Sequence, residues 1–355
     1  MPSLRKSNLK KTSIYTISRE LGVSPATVSR ALNHHPAASA SVRAKVQKIA
    51  EKYNFRPRVV RNRAMNLCVM IQQIEGHPLD FSQYLSQCLE GIALYCNHEE
   101  LEMSLYSTHV NELNRQDVVR ELRRRSADGV IVLRANEDSR YFDAMDEQGF
   151  PYFCLLNDDG RHAGRLLDID NEHLARQAAE HLLSLGHRRI GILNNAPHST
   201  AHQARFRGYQ KTLRNHGLEI EDRLLVSADP KIDHGDMDFG QRAIQTLRQR
   251  APEMTAILTM SEGVARGALA WLFENDIRVP EQLSVMGFDD FPETAYTSPR
   301  LTTIRIPYIE IGYECARQVH RLCRGLDPLL RQADRERLGG RLILRKSTGP
   351  VWTSK

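Results

Sequence analysis

The 355-residue sequence predicts an α/β protein: a small all-helical head followed by two doubly wound subdomains built on parallel sheets. Three observations carry that prediction. Residues 12–33, TSIYTISRELGVSPATVSRALN, place two short amphipathic helices around a glycine. The chain's net positive charge is confined to its first fifth. From residue 67 onward, short apolar runs alternate with amphipathic stretches.

In the head, Ile14, Ile17 and Leu21 fall at i, i+3 and i+7, one face of a helix. Gly22 ends that helix, because a residue without Cβ enters the left-handed backbone at no steric cost. Ser24 is placed to cap a second helix. Pro25 takes its first position, where a missing N–H costs nothing. Val28 and Leu32 point inward and leave Ala26, Thr27, Ser29, Arg30 and Asn33 on the outer face. Ser39 caps a third helix. In it Val42, Val46, Ile49, Ala50 and Tyr53 recur at helical spacing, while Arg43, Lys45, Lys48 and Lys52 face water or phosphate. Pro57 then breaks the pattern, and residues 56–65 form a basic connector. Two helices about a tight turn make a helix-turn-helix, which presents its second helix to the major groove of DNA.

Charge separates that reading from an ordinary helical hairpin in a core. Residues 1–66 hold fourteen Lys and Arg against Glu20 and Glu51, a net of +12. The whole chain carries +6, so the remainder carries −6. A merely solvated face needs no such imbalance of sign; a phosphate-binding head does.

The body reads as strands at 67–71, 101–106, 129–133, 152–156, 190–193, 256–259 and 283–287. Helices at 84–95, 115–125, 172–185, 203–216, 240–250 and 264–275 lie between most of them. Alternation at this spacing implies parallel sheets covered on both faces, and its extent exceeds one core, so two subdomains are expected. No G-x-G-x-x-G, G-x-x-x-x-G-K-[ST] or G-x-S-x-G motif follows any strand. The acidic pairs Asp158–Asp159 and Asp289–Asp290 read as loop carboxylates that cap helices or face solvent. Six cysteines lack any C-x-x-C pair and are expected to be reduced and buried, and no Cys/His spacing suggests a metal site. No apolar run approaches the ~20 residues of a membrane span. No hydrophobic stretch follows the basic N-terminus, so no secretory signal is expected and the cytoplasm is the expected location.

Several segments extend the reading beyond class. VSPATVSRALNHHP and SVRAKVQKIAEKYNFRP in the head closely resemble the lactose-repressor (LacI/GalR) family of bacterial transcription regulators. In the body, ADGVIVL, DIDNEHLARQAAEHLLSLGHRRIGIL, ARFRGYQKTL, AILTMSEGVARGALAWL, VPEQLSVMGFDDFP and SPRLTTIRIP continue the match. The resemblance spans roughly residues 12–350. It implies a homodimeric DNA-binding repressor or activator, with no enzymatic activity and no cofactor. Its body would have the periplasmic-binding-protein-like fold, with an effector held between two subdomains. The implied boundaries are a head at 1–56, a connector at 57–66, a first subdomain at 67–166 and 300–327, and a second at 167–299 and 328–348.

Carried over residue by residue, the family's base-reading positions fall on Pro25, Ala26 and Arg30. Only Arg30 can make a bidentate bond, for which guanine is the best partner. Tyr15, Ser24, Thr27, Ser29 and Asn33 match positions that touch phosphate or support the helix. The connector departs from the family. The leucine expected seven residues after the hinge proline is Ala64, and the alanine expected three residues earlier is Arg61. Alanine does not unstack bases as a large wedge does; the alternatives are that Met65 beside it takes the wedge's place, or that the connector forms no hinge helix and the operator has little central kink.

In the effector cleft, Arg205 occupies the family's guanidinium position. Ser261-Glu262 replace the usual Asn-Asp, so Glu262 keeps the charge with one more methylene. Tyr84 matches a cleft aromatic, and Asn157 a polar contact at a strand end. An arginine opposed to an acid suits neutral or acidic hydroxyl-rich carbohydrates. The tail after Pro328 lacks leucine heptads, which argues for a dimer rather than a tetramer. Two other classes fit less well. An enzyme with a nucleic-acid-binding appendage would need a phosphate loop, nucleophile or metal set, and a solute receptor would carry a signal peptide instead of a basic head.

Overall fold

The computed structural model describes residues 14–32, 39–53, 64–73, 83–109, 117–133, 141–156, 165–197, 199–229, 235–328 and 338–351. The chain divides into two compact units, Met1–Ala64 and Met65–Lys355.

The first unit contains α1 (Ile14–Leu21), α2 (Pro25–Leu32) and α3 (Ala40–Lys52). Ile17, Val28, Ala31, Val46 and Ala50 are buried together at its centre. Gly22 has φ +67°, the left-handed value the turn demands. The Ser18 hydroxyl braces the turn by donating to the Val23 carbonyl at 2.6 Å. The Thr27 N–H donates to Ser24 Oγ at 3.1 Å, the expected cap. Lys52 on α3 pairs with Glu20 on α1 at 2.7 Å. Tyr53 departs from the inward position expected of it and is exposed. It lies one residue past the end of α3, where helical periodicity no longer sets direction, and its ring meets the Lys52 ammonium at 5.1 Å.

The second unit begins with β1 (Asn66–Gln73), α4 (Gln83–His98), β2 (Glu102–His109), α5 (Val118–Arg124), β3 (Gly129–Leu133), α6 (Tyr141–Glu147), β4 (Tyr152–Leu155) and β5 (Leu166–Leu167). It continues with α7 (Asn171–Ser184), β6 (Ile190–Asn194), α8 (Thr200–Asn215), β7 (Leu225–Ser227), α9 (Asp236–Arg250) and β8 (Ala256–Thr259). It ends with α10 (Glu262–Glu274), β9 (Ser284–Asp289), β10 (Thr302–Arg305), α11 (Tyr308–Cys323) and β11 (Arg341–Ile343). Two sheets result, ordered β2-β1-β3-β4-β5 and β11-β10-β9-β8-β6-β7. All pairings are parallel except β10 with β11.

The period-2 alternation of β1 shows why both faces of the first sheet are covered. Leu67, Val69 and Ile71 pack with α4 and α11, while Cys68 and Met70 pack with α5 and α6. In the second sheet, Ile192 and Leu258 share a core with α7 and α8, and Leu193 and Ile257 share one with α9 and α10. Helix pairs approach closely through glycines. A Cβ on Gly91 would strike the Ile309 carbonyl, and one on Gly312 the Cys88 carbonyl, so α4 and α11 interlock reciprocally. Gly240 and Gly267 do the same for α9 and α10, against Val264 and Met237.

Helix α11 packs with the first sheet, but β10 pairs with β9 in the second. The return to the first subdomain therefore falls between Arg305 and Tyr308 rather than at residue 300, because TTIR completes the second sheet before the chain crosses. The cysteines at 68, 88, 96, 154 and 315 are buried and free, and Cys323 is half-buried and free. Among the described residues, no helix is long and apolar enough to cross a membrane, and no cluster of His, Cys, Asp and Glu is arranged to hold a metal ion.

Candidate functional site

On the head, α2 exposes Ser24, Pro25, Ala26 and Arg30, and Tyr15 on α1 is 69% exposed. Val28 and Ala31 are turned into the core, which fixes the helix's rotation and holds Arg30 outward. Arg30 has no acidic partner among the described residues. Thr27 is half-buried, and its hydroxyl lies 2.8 Å from that of Ser24, so these two groups serve the cap. Ser29 lies on α2. Asn33 and Arg61 lie outside the described residues, and Ala64 is half-buried.

In the body, β6 has β7 on one side and β8 on the other, so successive connections leave β6 over opposite faces of the sheet. Such a switch point opens a crevice at the carboxyl ends of the strands, where α/β sheets bind ligands. Arg205 reaches that crevice from α8 and is 5% exposed. Its Nε donates to Asn171 Oδ1 at 2.9 Å, and a terminal nitrogen donates to the Met260 carbonyl. The other terminal nitrogen lies 3.5 Å from Asp289. The guanidinium carbon sits 3.8 Å from the centre of the Phe288 ring.

Asp289 also accepts from the Tyr308 hydroxyl at 2.8 Å and the Glu262 N–H at 3.4 Å. Burial raises its carboxyl above the ordinary range, and the Arg205 guanidinium, the Tyr308 hydroxyl and the Glu262 N–H pull against it. Tyr308 in turn meets Phe291, stacked at 5.8 Å, and Tyr84, tilted at 5.8 Å. Tyr84 on α4 thus joins the network that carries Arg205. Its companion Asn157 lies outside the described residues.

Glu262, expected to face the ligand, has one carboxylate oxygen engaged and the other, Oε1, buried without a hydrogen-bond partner among the described residues. It is fully buried, and its Oε2 accepts from the Phe291 N–H at 2.6 Å, with the Thr294 hydroxyl beside it. Burial pushes its pKa up to about 7. As the first residue of α10, it is directed under the turn that follows β9, and it anchors that turn.

Asp289 and Asp290 are not the solvated or capping carboxylates expected. Both have left-handed backbones, φ +103° and +60°, a strained conformation for non-glycine residues that persists only when the surroundings enforce it. Asp290 is buried between Arg305 and Arg345, each at 2.6 Å. Sequence reasoning missed Asn171, Asp289, Phe291 and Tyr308. One signal was available, since an acidic pair closing the apolar run SVMGF marks the carboxyl end of a strand. Surface hollows of about 400 and 270 Å³ lie elsewhere, the larger lined by His187, Thr255, Arg278 and Val351 near the opposite strand ends.

A helix-turn-helix head and a body of two doubly wound sheets, with a polar network at their strand ends, define a DNA-binding protein with an effector-type domain. Residues 13–58 match the description "Bacterial regulatory proteins, lacI family", and residues 179–348 match a periplasmic binding protein-like domain. The HTH-type transcriptional regulator GalS of Salmonella typhimurium is 30% identical over 298 residues, covering 83% of this chain and 85% of GalS. The lac repressor dimer bound to operator and the anti-inducer ONPF shares the fold, with a TM-score of 0.75 at 22% identity over 96% of this chain and 100% of that one. The transcriptional regulator CelR, solved with cellobiose, gives a TM-score of 0.67 at 25% identity over 95% of this chain and 100% of that one. The chain belongs to the LacI family of bacterial regulatory proteins: it is a DNA-binding transcriptional regulator, not an enzyme.

Proposed function

We propose that this regulator is a repressor that binds its operator as a homodimer and is controlled by a carbohydrate effector held between the two α/β subdomains. The observation that carries the proposal is the buried Arg205–Asp289–Tyr308 network at the switch point. Charged and polar groups concentrated there, beside the aromatic rings of Tyr84, Tyr308 and Phe291, suit a ligand with polar edges and apolar faces. The cellobiose held by CelR supports a sugar. On DNA, Arg30 reads guanine, Pro25 and Ala26 offer apolar contact, and Tyr15, Ser24, Thr27, Ser29 and Asn33 support the helix or meet phosphate. Arg61 and Ala64 lie in the connector, where Ala64 leaves the operator centre without a large wedge. Glu262 acts on the effector indirectly, through the turn it anchors.

Dimerisation is supported by Leu94 on α4 and Leu105 on the edge strand β2, each about half exposed (50% and 52%) on the first subdomain. The relatives are bacterial, so the site of action is the cytoplasm, with the chromosome. The effector shifts operator affinity only if it binds one subdomain geometry better than the other. A gel-shift assay with genomic fragments, titrated with neutral and acidic sugars, tests this. The expected result is salt-sensitive binding to a discrete fragment that one sugar weakens. Operator binding that no carbohydrate alters overturns the effector reading, and absence of binding to any duplex overturns the whole.

A further inference from the structure

The two carboxylates that close β9 serve different parts of the molecule. Asp289 meets Arg205, the Tyr308 hydroxyl and the Glu262 N–H. Asp290 has other partners. Its side chain is 1% exposed and divides its oxygens between two guanidinium groups. Oδ2 accepts from Arg305 Nε and Oδ1 from Arg345 Nη1, each at 2.6 Å. Both aspartates hold left-handed backbones, a strain that these contacts must offset.

The partners surround one stretch of chain. Strand β10 ends at Arg305, and α11, which packs with the first sheet, begins at Tyr308, so residues 306 and 307 cross between the subdomains. The acidic pair ties that crossing at three points. Arg305 is held by its side chain to Asp290, Ile306 by its N–H to the Asp289 carbonyl at 3.1 Å, and Tyr308 by its hydroxyl to the Asp289 carboxylate at 2.8 Å. Arg345 serves a different place. Its N–H donates to Thr302 Oγ1 at 3.0 Å and its side chain to the Leu301 carbonyl at 2.9 Å, which secures the start of β10. A buried carboxylate needs its charge compensated and its oxygens hydrogen-bonded, and the two arginines do both.

We infer that Asp290 is a positioning residue: it clasps the crossing at 305–308 to the end of β9 and keeps it rigid, so that Tyr308 stays seated on Asp289. A rigid crossing passes a displacement of Tyr308 on to β9, whereas a loose one absorbs it; coupling between sites is carried by such ion-pair and hydrogen-bond networks. The inference goes beyond the effector reading and depends on no particular ligand. An isosteric amide shows what the carboxylate supplies. Asparagine at this position offers one acceptor oxygen, and its NH2 sets donor against donor towards one of the two guanidinium groups.

Hydrogen–deuterium exchange on the full chain without ligand reads the clasp at the Ile306 and Tyr308 amides. Asp290→Asn is expected to speed their exchange by about tenfold or more, while the amides of β6 and β8 stay within about twofold of wild type. Arg305→Gln, at an arginine whose side chain is 41% exposed, is expected to act in the same direction, and Arg305→Lys to stay close to wild type. Arg345→Gln is expected to leave the crossing amides within a few-fold. Unchanged exchange at the crossing in Asp290→Asn overturns the inference. A rise shared equally with β6 and β8, with a lower melting temperature, also overturns it, because Asp290 is then a general stability residue. Arg345→Gln matching Asp290→Asn while Arg305→Gln is silent overturns it as well and assigns the carboxylate to the start of β10. If Asp290→Asn does not fold, the two Arg305 variants carry the test: faster exchange in Gln with rescue in Lys supports the clasp, and silence in both overturns it.

Discussion

The two α/β subdomains share one plan and differ in what they place at its functional edge. Each sheet has its first strand flanked by the second and third, and each carries a helix pair interlocked through glycines, Gly91 with Gly312 in one and Gly240 with Gly267 in the other. At the carboxyl ends of the second sheet, Asn171, Asn194, Arg205, Glu262 and Asp289 are buried. Among the described residues of the first subdomain, the corresponding strand end offers Gln72, which accepts from Tyr141 at 2.9 Å. Its buried charge lies on α11, where Glu314 meets Arg317 at 2.8 Å. The lesson is that the scaffold supplies such strand ends twice, while among the described residues the buried polar and charged groups gather mainly at one set of them. The first subdomain contributes the Tyr84 ring.

The comparison breaks most readily at the two arginines. Arg205→Met leaves Asp289 buried without its cation, and a loss of about 3–5 kcal/mol is expected in denaturant unfolding, together with loss of effector response. Arg317→Met is expected to cost much less, because Arg317 is 28% exposed and Gln318 still donates to Glu314. Equal losses would show that the asymmetry between the subdomains is not energetic.

The scaffold should be indifferent to which sheet it serves. Gly312→Ala and Gly267→Ala each force a methyl against a facing backbone, and each is expected to destabilise by about 1–3 kcal/mol or more, to similar extents. The head supplies an independent control. Arg30→Ala is expected to weaken operator binding by about 1–3 kcal/mol with little change on random DNA, and equal weakening on both would remove Arg30 from base recognition.

A further difference is expected in the pH dependence of stability. Glu262 is raised to about 7 in the fold from an ordinary value near 4.5, so the unfolded chain releases its proton more readily. Its contribution is therefore fully present below about pH 4.5 and lost as pH rises towards 7. His202 has the opposite sense. It is held neutral in the fold but protonates in the unfolded chain below about 6.5, so its share of stability grows as pH rises from about 3. Unfolding midpoints across pH 4–8 are expected to show a gain at neutral pH in Glu262→Gln, and an unchanged profile would remove Glu262 from the account.

Much of this was legible in the residues. The three head helices, seven strands and six body helices lie where apolar period, caps and glycines put them; β1 and α2 are examples in which alternation and a Ser-Pro start say nearly everything. Helices α6 and α11 and strands β5, β7, β10 and β11 were not read as elements: LL, LVS, TTIR and RLI are too short to display a period, whereas the apolar spacing of Ile311, Cys315 and Val319 in α11 was there to be read. The site was legible only in part. Arg205 stood out through its motif, but Asp289 looked like any loop acid, and Glu262 looked like a ligand contact.

Chain chemistry alone determined the head: a glycine turn, a Ser24 cap and an excess of positive charge are local properties that need no distant partner. It also determined that the body would be two layered α/β halves, since periodicity records which faces must be buried. Tertiary structure alone decided which carboxylate meets Arg205 and why Glu262 is sealed beneath a turn. Those outcomes depend on desolvation and on contacts between residues dozens of positions apart, from Asn171 to Tyr308, and no local pattern encodes them.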